Sequence, residues 1–256
     1  MTRASMQRCL AYLLFICAAM PALAATDPLK SARWEDMRQL FFGDDAVEFD
    51  SRVRVLAPLS AENPMEVPIT VDASGLPDVK EVVVFADFNP ILKILSFEPV
   101  TASARLSFRV KLQQSTPVRA AARTGDGRWH VGGAWVTTTG GGCSAPSVAS
   151  GSPVWQSHLN EVSGRLWSRP DGKRLRMRII HPMDTGLAPD IPAFYIDSLE
   201  LAQADGSSLM RIRAFEPVSE NPLFTLDLPE ALKAVSKIKV VGRDNNGNRI
   251  DAWVAQ

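Results

Sequence analysis

Arg105-Leu106-Ser107-Phe108-Arg109-Val110-Lys111-Leu112 decides the fold. Apolar and polar residues alternate through all eight positions, and a period of two sorts side chains onto the two faces of an extended strand. Leu106, Phe108, Val110 and Leu112 form the buried row, while Arg105, Ser107, Arg109 and Lys111 form the wet one. The same alternation recurs where Leu175, Met177 and Ile179 interleave with Arg174, Arg176 and Arg178, and where Phe224, Leu226 and Leu228 flank Thr225 and Asp227. Asp171-Gly172, Asp205-Gly206 and Asn246-Gly247 supply the turns between such runs. Prolines at 58, 64, 68, 77 and 90 favour strands bounded by loops over long helices. One short helix is expected near Ser31–Phe42, where Trp34, Met37, Leu40 and Phe41 fall at helical spacing.

The segment Thr137–Ser157 (TTTGGGCSAPSVASGSPVWQS) carries no charge and has the composition of a linker. It divides the chain into halves that resemble each other. Ser96-Phe97-Glu98-Pro99-Val100 recurs as Ala214-Phe215-Glu216-Pro217-Val218, and each copy is followed by a period-two strand and a later polar turn. Duplication of one unit explains this order. The expected fold is all-β, with two immunoglobulin-like antiparallel β-sandwich domains joined by a Gly/Ser-rich linker and packed as a pseudo-dimer. The expected boundaries are 1–24 for a signal peptide, 25–147 for the first sandwich and its arm, 148–159 for the linker and 160–256 for the second sandwich.

The chain of 256 residues carries 28 basic and 28 acidic side chains. No basic excess exists to neutralise phosphates, which argues against nucleic acid as a partner. Arg3 and Arg8, the apolar run from Cys9 to Met20 and the Ala22-Leu23-Ala24 cleavage pattern read as a secretory signal peptide. Removal after Ala24 leaves Cys143 as the one cysteine of the mature protein. No later segment is apolar enough to insert stably into a membrane. A single cysteine in an oxidising compartment is a reactive thiol, a site of intermolecular pairing or an inert buried residue.

The setting of Cys143 points to the first of these. Gly140, Gly141 and Gly142 precede it without side chains or backbone preference, so the tract reads as a flexible arm spanning on the order of 25 Å. A thiol on such an arm reaches into the pockets of other proteins, with a pKa near the free value of about 8.5. A cysteine–histidine dyad with His130, His158 or His181 would require rigid positioning that three glycines deny. His181-Pro182-Met183-Asp184-Thr185-Gly186 reads as a shaped loop, in which Pro182 fixes φ, Gly186 permits a tight turn and Asp184 or Thr185 bonds local amides. As a functional element, His181, Asp184 and Gly186 would support the surface near the arm. As metal ligands, His181 and Asp184 fall short of a site, so no metal is expected. Lys173, Arg174, Arg176 and Arg178 read as a solvated strand face or as a surface for an anionic partner, and Trp129, Trp135, Trp155 and Trp167 as core and rim packing. Nucleophile-elbow, phosphate-loop and dinucleotide motifs are missing from the sequence.

These residues carry a resemblance. Leu40–Ser147, ending in the Gly141-Gly142-Cys143 arm, resembles SoxY. Asn160–Gln256, with His181-Pro182-Met183-Asp184-Thr185-Gly186, Ile191-Pro192-Ala193 and Asn221-Pro222, resembles SoxZ. The whole is similar to the fused SoxYZ-like sulfur carriers associated with quinoprotein dehydrogenases. The resemblance implies a periplasmic, non-catalytic carrier without a cofactor, which holds a sulfur-containing group on Cys143. It implies periplasmic sulfur-oxidising enzymes, as in thiosulfate oxidation, or a quinoprotein (PQQ-dependent) dehydrogenase system as partners. The alternative function is an adaptor or assembly factor for that dehydrogenase. The family's cysteine adjoins a free C-terminus, whereas Cys143 is internal and followed by Ser144-Ala145-Pro146.

Overall fold

The computed structural model describes residues 26–148 and 153–256; the expected signal peptide lies outside them. The first half contains α1 (Trp34–Phe42), β1 (Val47–Phe49), β2 (Arg54–Leu56), β3 (Ser60–Ala61), β4 (Val67–Asp72), β5 (Val79–Ala86), β6 (Lys93–Glu98), β7 (Arg105–Val110), β8 (Thr116–Thr124) and β9 (Trp129–Thr138). The second contains α2 (Pro153–Ser157), β10 (Val162–Arg169), β11 (Gly172–Ile179), β12 (Ile196–Ala202), β13 (Ser208–Ala214), β14 (Leu223–Pro229), β15 (Lys237–Asp244) and β16 (Arg249–Ala255). The turn glycines Gly206 and Gly247 both sit at φ +87, the conformation for which the sequence reserves them.

Two sheets pass through both halves. The ten-stranded sheet follows the order β1-β9-β8-β5-β6-β13-β12-β15-β16, with β3 attached to β9. The six-stranded sheet follows β10-β11-β14-β7-β4-β2. The halves therefore join along β6–β13 in one sheet and β7–β14 in the other, both antiparallel. Glu98 faces Arg211 and Phe97 faces Ile212 along the first seam, while Ser107 faces Thr225 along the second. Each strand at a seam meets its own counterpart from the other half, as in an isologous contact between two copies. The repeated Phe-Glu-Pro-Val segments lie at the ends of β6 and β13 and lead towards β7 and β14. The linker expected to join two separate sandwiches is thus secondary to hydrogen-bonded sheets that run across the boundary.

The alternation of Arg105–Val110 appears as alternating half-buried and buried residues in β7. Its apolar row enters one cluster that includes Ile69, Phe97, Leu106, Phe108, Leu175, Ile212, Phe224 and Leu226 from both halves. Burying a side chain of this size stabilises the fold by about 1.5–3 kcal/mol. A second cluster lies where α1 covers the large sheet. There Phe41 stacks on Phe85 with ring centroids 4.2 Å apart, and Trp34 and Met37 are buried. Leu40, expected in the packed row of this helix, is 62% exposed, and Phe42 is buried in its place. Arg119 ties the segment before α1 to this region. Its guanidinium donates to Asp27 at 2.7 and 2.9 Å and to Asp87 at 2.9 Å, and it lies over the Trp34 ring.

Candidate functional site

Beyond Val110 the alternation stops predicting the environment. Lys111, expected on the wet face, is fully buried. The backbone explains this: Lys111 N–H donates to the carbonyl of Pro217 at 2.7 Å and Leu112 N–H to that of Pro64 at 2.8 Å. The chain has left its strand partner and passes beneath loops from both halves, which cover the side chain. The Lys111 ammonium donates to the carbonyl of Met183, and burial pulls its pKa down against the raising effect of Asp184.

Cys143 rests on this floor. The expected exposed, flexible arm is not what the structure shows: the cysteine is 0% exposed. Its thiol donates to the carbonyl of Lys111 at 3.3 Å. The N–H groups of Gly141 and Gly142 donate to the carbonyls of Gln113 and Leu112, each at 3.0 Å. The Gln113 side-chain oxygen accepts from the N–H groups of Cys143 and Ser144 at 3.2 and 3.1 Å. From the second half, Thr185 donates its hydroxyl to the carbonyl of Cys143 at 2.5 Å, Asp184 accepts from Ser147 N–H at 3.1 Å, and Glu220 accepts from Val148 N–H at 2.8 Å.

The glycines serve this docking. A Cβ on Gly142 would lie 2.1 Å from the Pro64 carbonyl oxygen and 2.8 Å from that of Leu112. Gly140 combines φ +87 with only 2.6 Å between such a Cβ and the Gln113 oxygen, so a side chain at either position has no room. The run that reads as a flexible tether is seated directly on neighbouring backbone. Burial pushes the Cys143 thiol up to about 12 from its ordinary 9.0, with the Lys111 charge acting in the opposite direction. At neutral pH the seated thiol is therefore protonated and a poor nucleophile.

The tract read as linker also differs at both ends. Its first residues, Thr137 and Thr138, belong to β9, and α2 closes it at Pro153–Ser157. Residues 149–152 lie outside the described part of the chain.

The 181–186 loop meets the Cys143 segment through Asp184 and Thr185, and Gly186 makes its turn at φ +77. The loop is pinned elsewhere by hydrogen bonds between the backbone of His181 and Asn221, and between Phe194 N–H and the Asp184 carbonyl. His181 is fully buried, with Nδ1 accepting from Met183 N–H at 3.0 Å, which places the proton on Nε2. That nitrogen is 3.7 Å from an Asp244 oxygen. Burial lowers the His181 pKa to about 4, so the ring is neutral at pH 7. His130 sits instead beside Asp50 at 2.9 Å, and His158 pairs with Glu161 near the surface. The group of Glu48, Asp50 and His130 has side-chain ligand atoms close together, but the Arg52 guanidinium already holds both Asp50 oxygens.

Of the basic stripe, Arg176 and Arg178 are exposed, Arg174 pairs with Asp227 and Lys173 is buried against Gln256. Trp129 is buried, whereas Trp135 and Trp167 are partly exposed. Sequence reasoning missed Lys111, Gln113 and Glu220 altogether. The one signal for Lys111 and Gln113 was the end of β7, where a charged residue is followed by Leu112 and two glutamines rather than by a turn motif; Glu220 had none.

Comparison with known families fits this division of the chain. Residues 38–143 match the sulfur oxidation protein SoxY, and residues 169–254 match the sulphur oxidation protein SoxZ. The chain is a SoxY domain fused to a SoxZ domain. The two matches together cover about three quarters of its length, and the SoxY match ends on Cys143 itself. SoxY and SoxZ proteins are non-catalytic carriers, so this fusion is a carrier-type protein and not an enzyme. Among solved structures it is similar to the sulfur carrier protein SoxY from Chlorobium limicola f thiosulfatophilum, at 23% identity and a TM-score of 0.37. That likeness covers 42% of this chain and 96% of the other. No curated protein matches. Among the described residues, no helix is long and apolar enough to cross a membrane.

Proposed function

We propose that the fusion carries a sulfur-containing group covalently on Cys143, and that the paired SoxY and SoxZ domains form the rigid body that partner enzymes recognise. The observation that carries this reading is the shared cradle: Lys111 and Gln113 of the SoxY domain and Thr185 of the SoxZ domain all bond the Cys143 residue or its thiol. A cysteine held by both domains reports the state of their union to either. Loading requires the segment to leave its cradle, because a thiol with no exposure meets no reactant. His181, Asp184 and Gly186 then act as the supporting loop on which the segment rests. We assign the protein to the periplasm, after removal of residues 1–24, with immunoglobulin-like sandwiches spanning about 25–147 and 160–256 and sulfur-oxidising enzymes as its partners.

The burial of the thiol favours a second reading, in which the protein is an adaptor for a periplasmic quinoprotein dehydrogenase and Cys143 only locks the segment in place. The mass of the intact protein purified from periplasm, with and without reductant, separates the two. The carrier reading expects a reductant-labile sulfur adduct on Cys143 and loss of function in Cys143→Ser. An unmodified thiol, still unmodified after incubation with thiosulfate, sulfide and the dehydrogenase, together with a functional Cys143→Ser protein, establishes the adaptor.

A further inference from the structure

The Lys111 ammonium belongs to the wet row of the strand pattern, yet it is buried. An ammonium taken out of water is strongly unfavourable unless it is paired and hydrogen-bonded. Its hydrogen bond goes to Met183, in the same loop whose Thr185 holds the Cys143 carbonyl, and its own carbonyl accepts from the Cys143 thiol. The acidic groups acting on it are Asp184 and Glu220, both of which also bond the N–H groups of the segment that covers it. Lifting the segment would take one N–H donor from each of these carboxylates, leave Glu220 its bond from the Asn221 side chain, and uncover Lys111.

We infer that Lys111 is a positioning residue that gives the Cys143 site its preference for anionic reactants, by holding negative charge that arrives at or on the sulfur. This rests on Cys143 as the reacting group. It accounts for a lysine rather than an apolar residue at the floor of the cradle: the backbone carbonyl of residue 111 holds the thiol whatever its side chain, and the ammonium adds a positive charge beneath the segment.

Thiol–disulfide exchange tests it without knowledge of the natural cargo. The Cys143 thiol gives its proton to solvent, the thiolate attacks one sulfur of a symmetrical disulfide, a mixed disulfide forms and the other half leaves as a thiolate. Two reagents are compared: the anionic 5,5′-dithiobis(2-nitrobenzoate) and the neutral 4,4′-dithiodipyridine. Both wait on the same opening of the segment, so that opening cancels in the ratio of their rates. The ratio of anionic to neutral rate should fall about tenfold in Lys111→Met and stay near the parent value in Lys111→Arg. Raising the salt from 20 to 500 mM, roughly from a 20 Å to a 4 Å screening length, should slow only the anionic reagent and only where the cation is present. The same measurements in a Gly142→Ala background, where the segment is displaced, supply the ratio if the closed form reacts too slowly. An unchanged ratio in Lys111→Met, or rates that rise together for both reagents, overturns the inference and leaves Lys111 a packing residue. The ratio is measured on purified protein, so its failure is distinct from the failure to find an adduct in the periplasm.

Discussion

Replacing Gly142 by alanine should release the thiol. The added methyl would stand 2.1 Å from the Pro64 oxygen, 2.7 Å from the Pro64 carbonyl carbon and 2.8 Å from the Leu112 oxygen. These are backbone atoms, and the Pro64 oxygen is itself fixed by the Leu112 N–H at 2.8 Å. No rotamer change relieves the overlap, so the segment must move by roughly 1 Å, a distance that breaks hydrogen bonds of normal length. Overpacking of this kind costs about 1–3 kcal/mol. Because the cost falls on the closed form alone, the open fraction should rise about five- to 150-fold, at tenfold for each 1.4 kcal/mol. The assay is the pseudo-first-order rate of Cys143 with a small neutral disulfide at pH 7.5, alongside far-UV circular dichroism to show that the sheets are intact. Gly127→Ala is the control: that glycine also has a positive φ, +85, but nothing lies within 4 Å of its Cβ position. It should leave the thiol rate unchanged. The reasoning is refuted if Gly142→Ala reacts no faster than the parent, or if the parent already reacts at the rate of a free thiol.

Two further outcomes follow from buried titratable groups. His181 has its pKa lowered to about 4 by burial, so below its unfolded value of about 6.5 the unfolded chain binds the proton that the folded one refuses. Its contribution to stability is present above pH 6.5 and is lost as the pH falls towards 4, by on the order of 3 kcal/mol; urea titrations at pH 7 and pH 5 should show a smaller loss in His181→Gln than in the parent. Arg119→Met should destabilise the fold by about 3–5 kcal/mol, because it strands Asp27 and Asp87 in a buried site without their cation. A melting temperature within a degree of the parent's would mean that the triad contributes nothing net.

The strands were legible because their signal is local. Alternation in Arg105–Val110 fixes which side chains face inward whatever the partner strand is, and the repeated Phe-Glu-Pro-Val segments pointed to two related halves. The shared sheets were not legible, since no residue type distinguishes a strand that pairs within its own half from one that pairs across. At Lys111 the alternation persisted in sequence after the ladder had ended in space. The glycine run was misread for a similar reason. Gly127 in an open turn and Gly142 pressed against two carbonyls are the same letter, and only the backbone lying opposite separates freedom from close fit. The histidine–proline loop was read as shaped, and it is. Its approach to Cys143 depends on Thr185 and Asp184 crossing from one half to the other.

The two seams bear on how the molecule is assembled. Either half made alone would present two bare strand edges, β6 and β7 or β13 and β14, each a template for pairing with unrelated chains. Carrying both halves on one polypeptide fixes their stoichiometry at one to one and supplies each edge with its proper partner as soon as both have been synthesised. It also rules out exchange: a damaged half cannot be replaced by a fresh one, and both share a single lifetime.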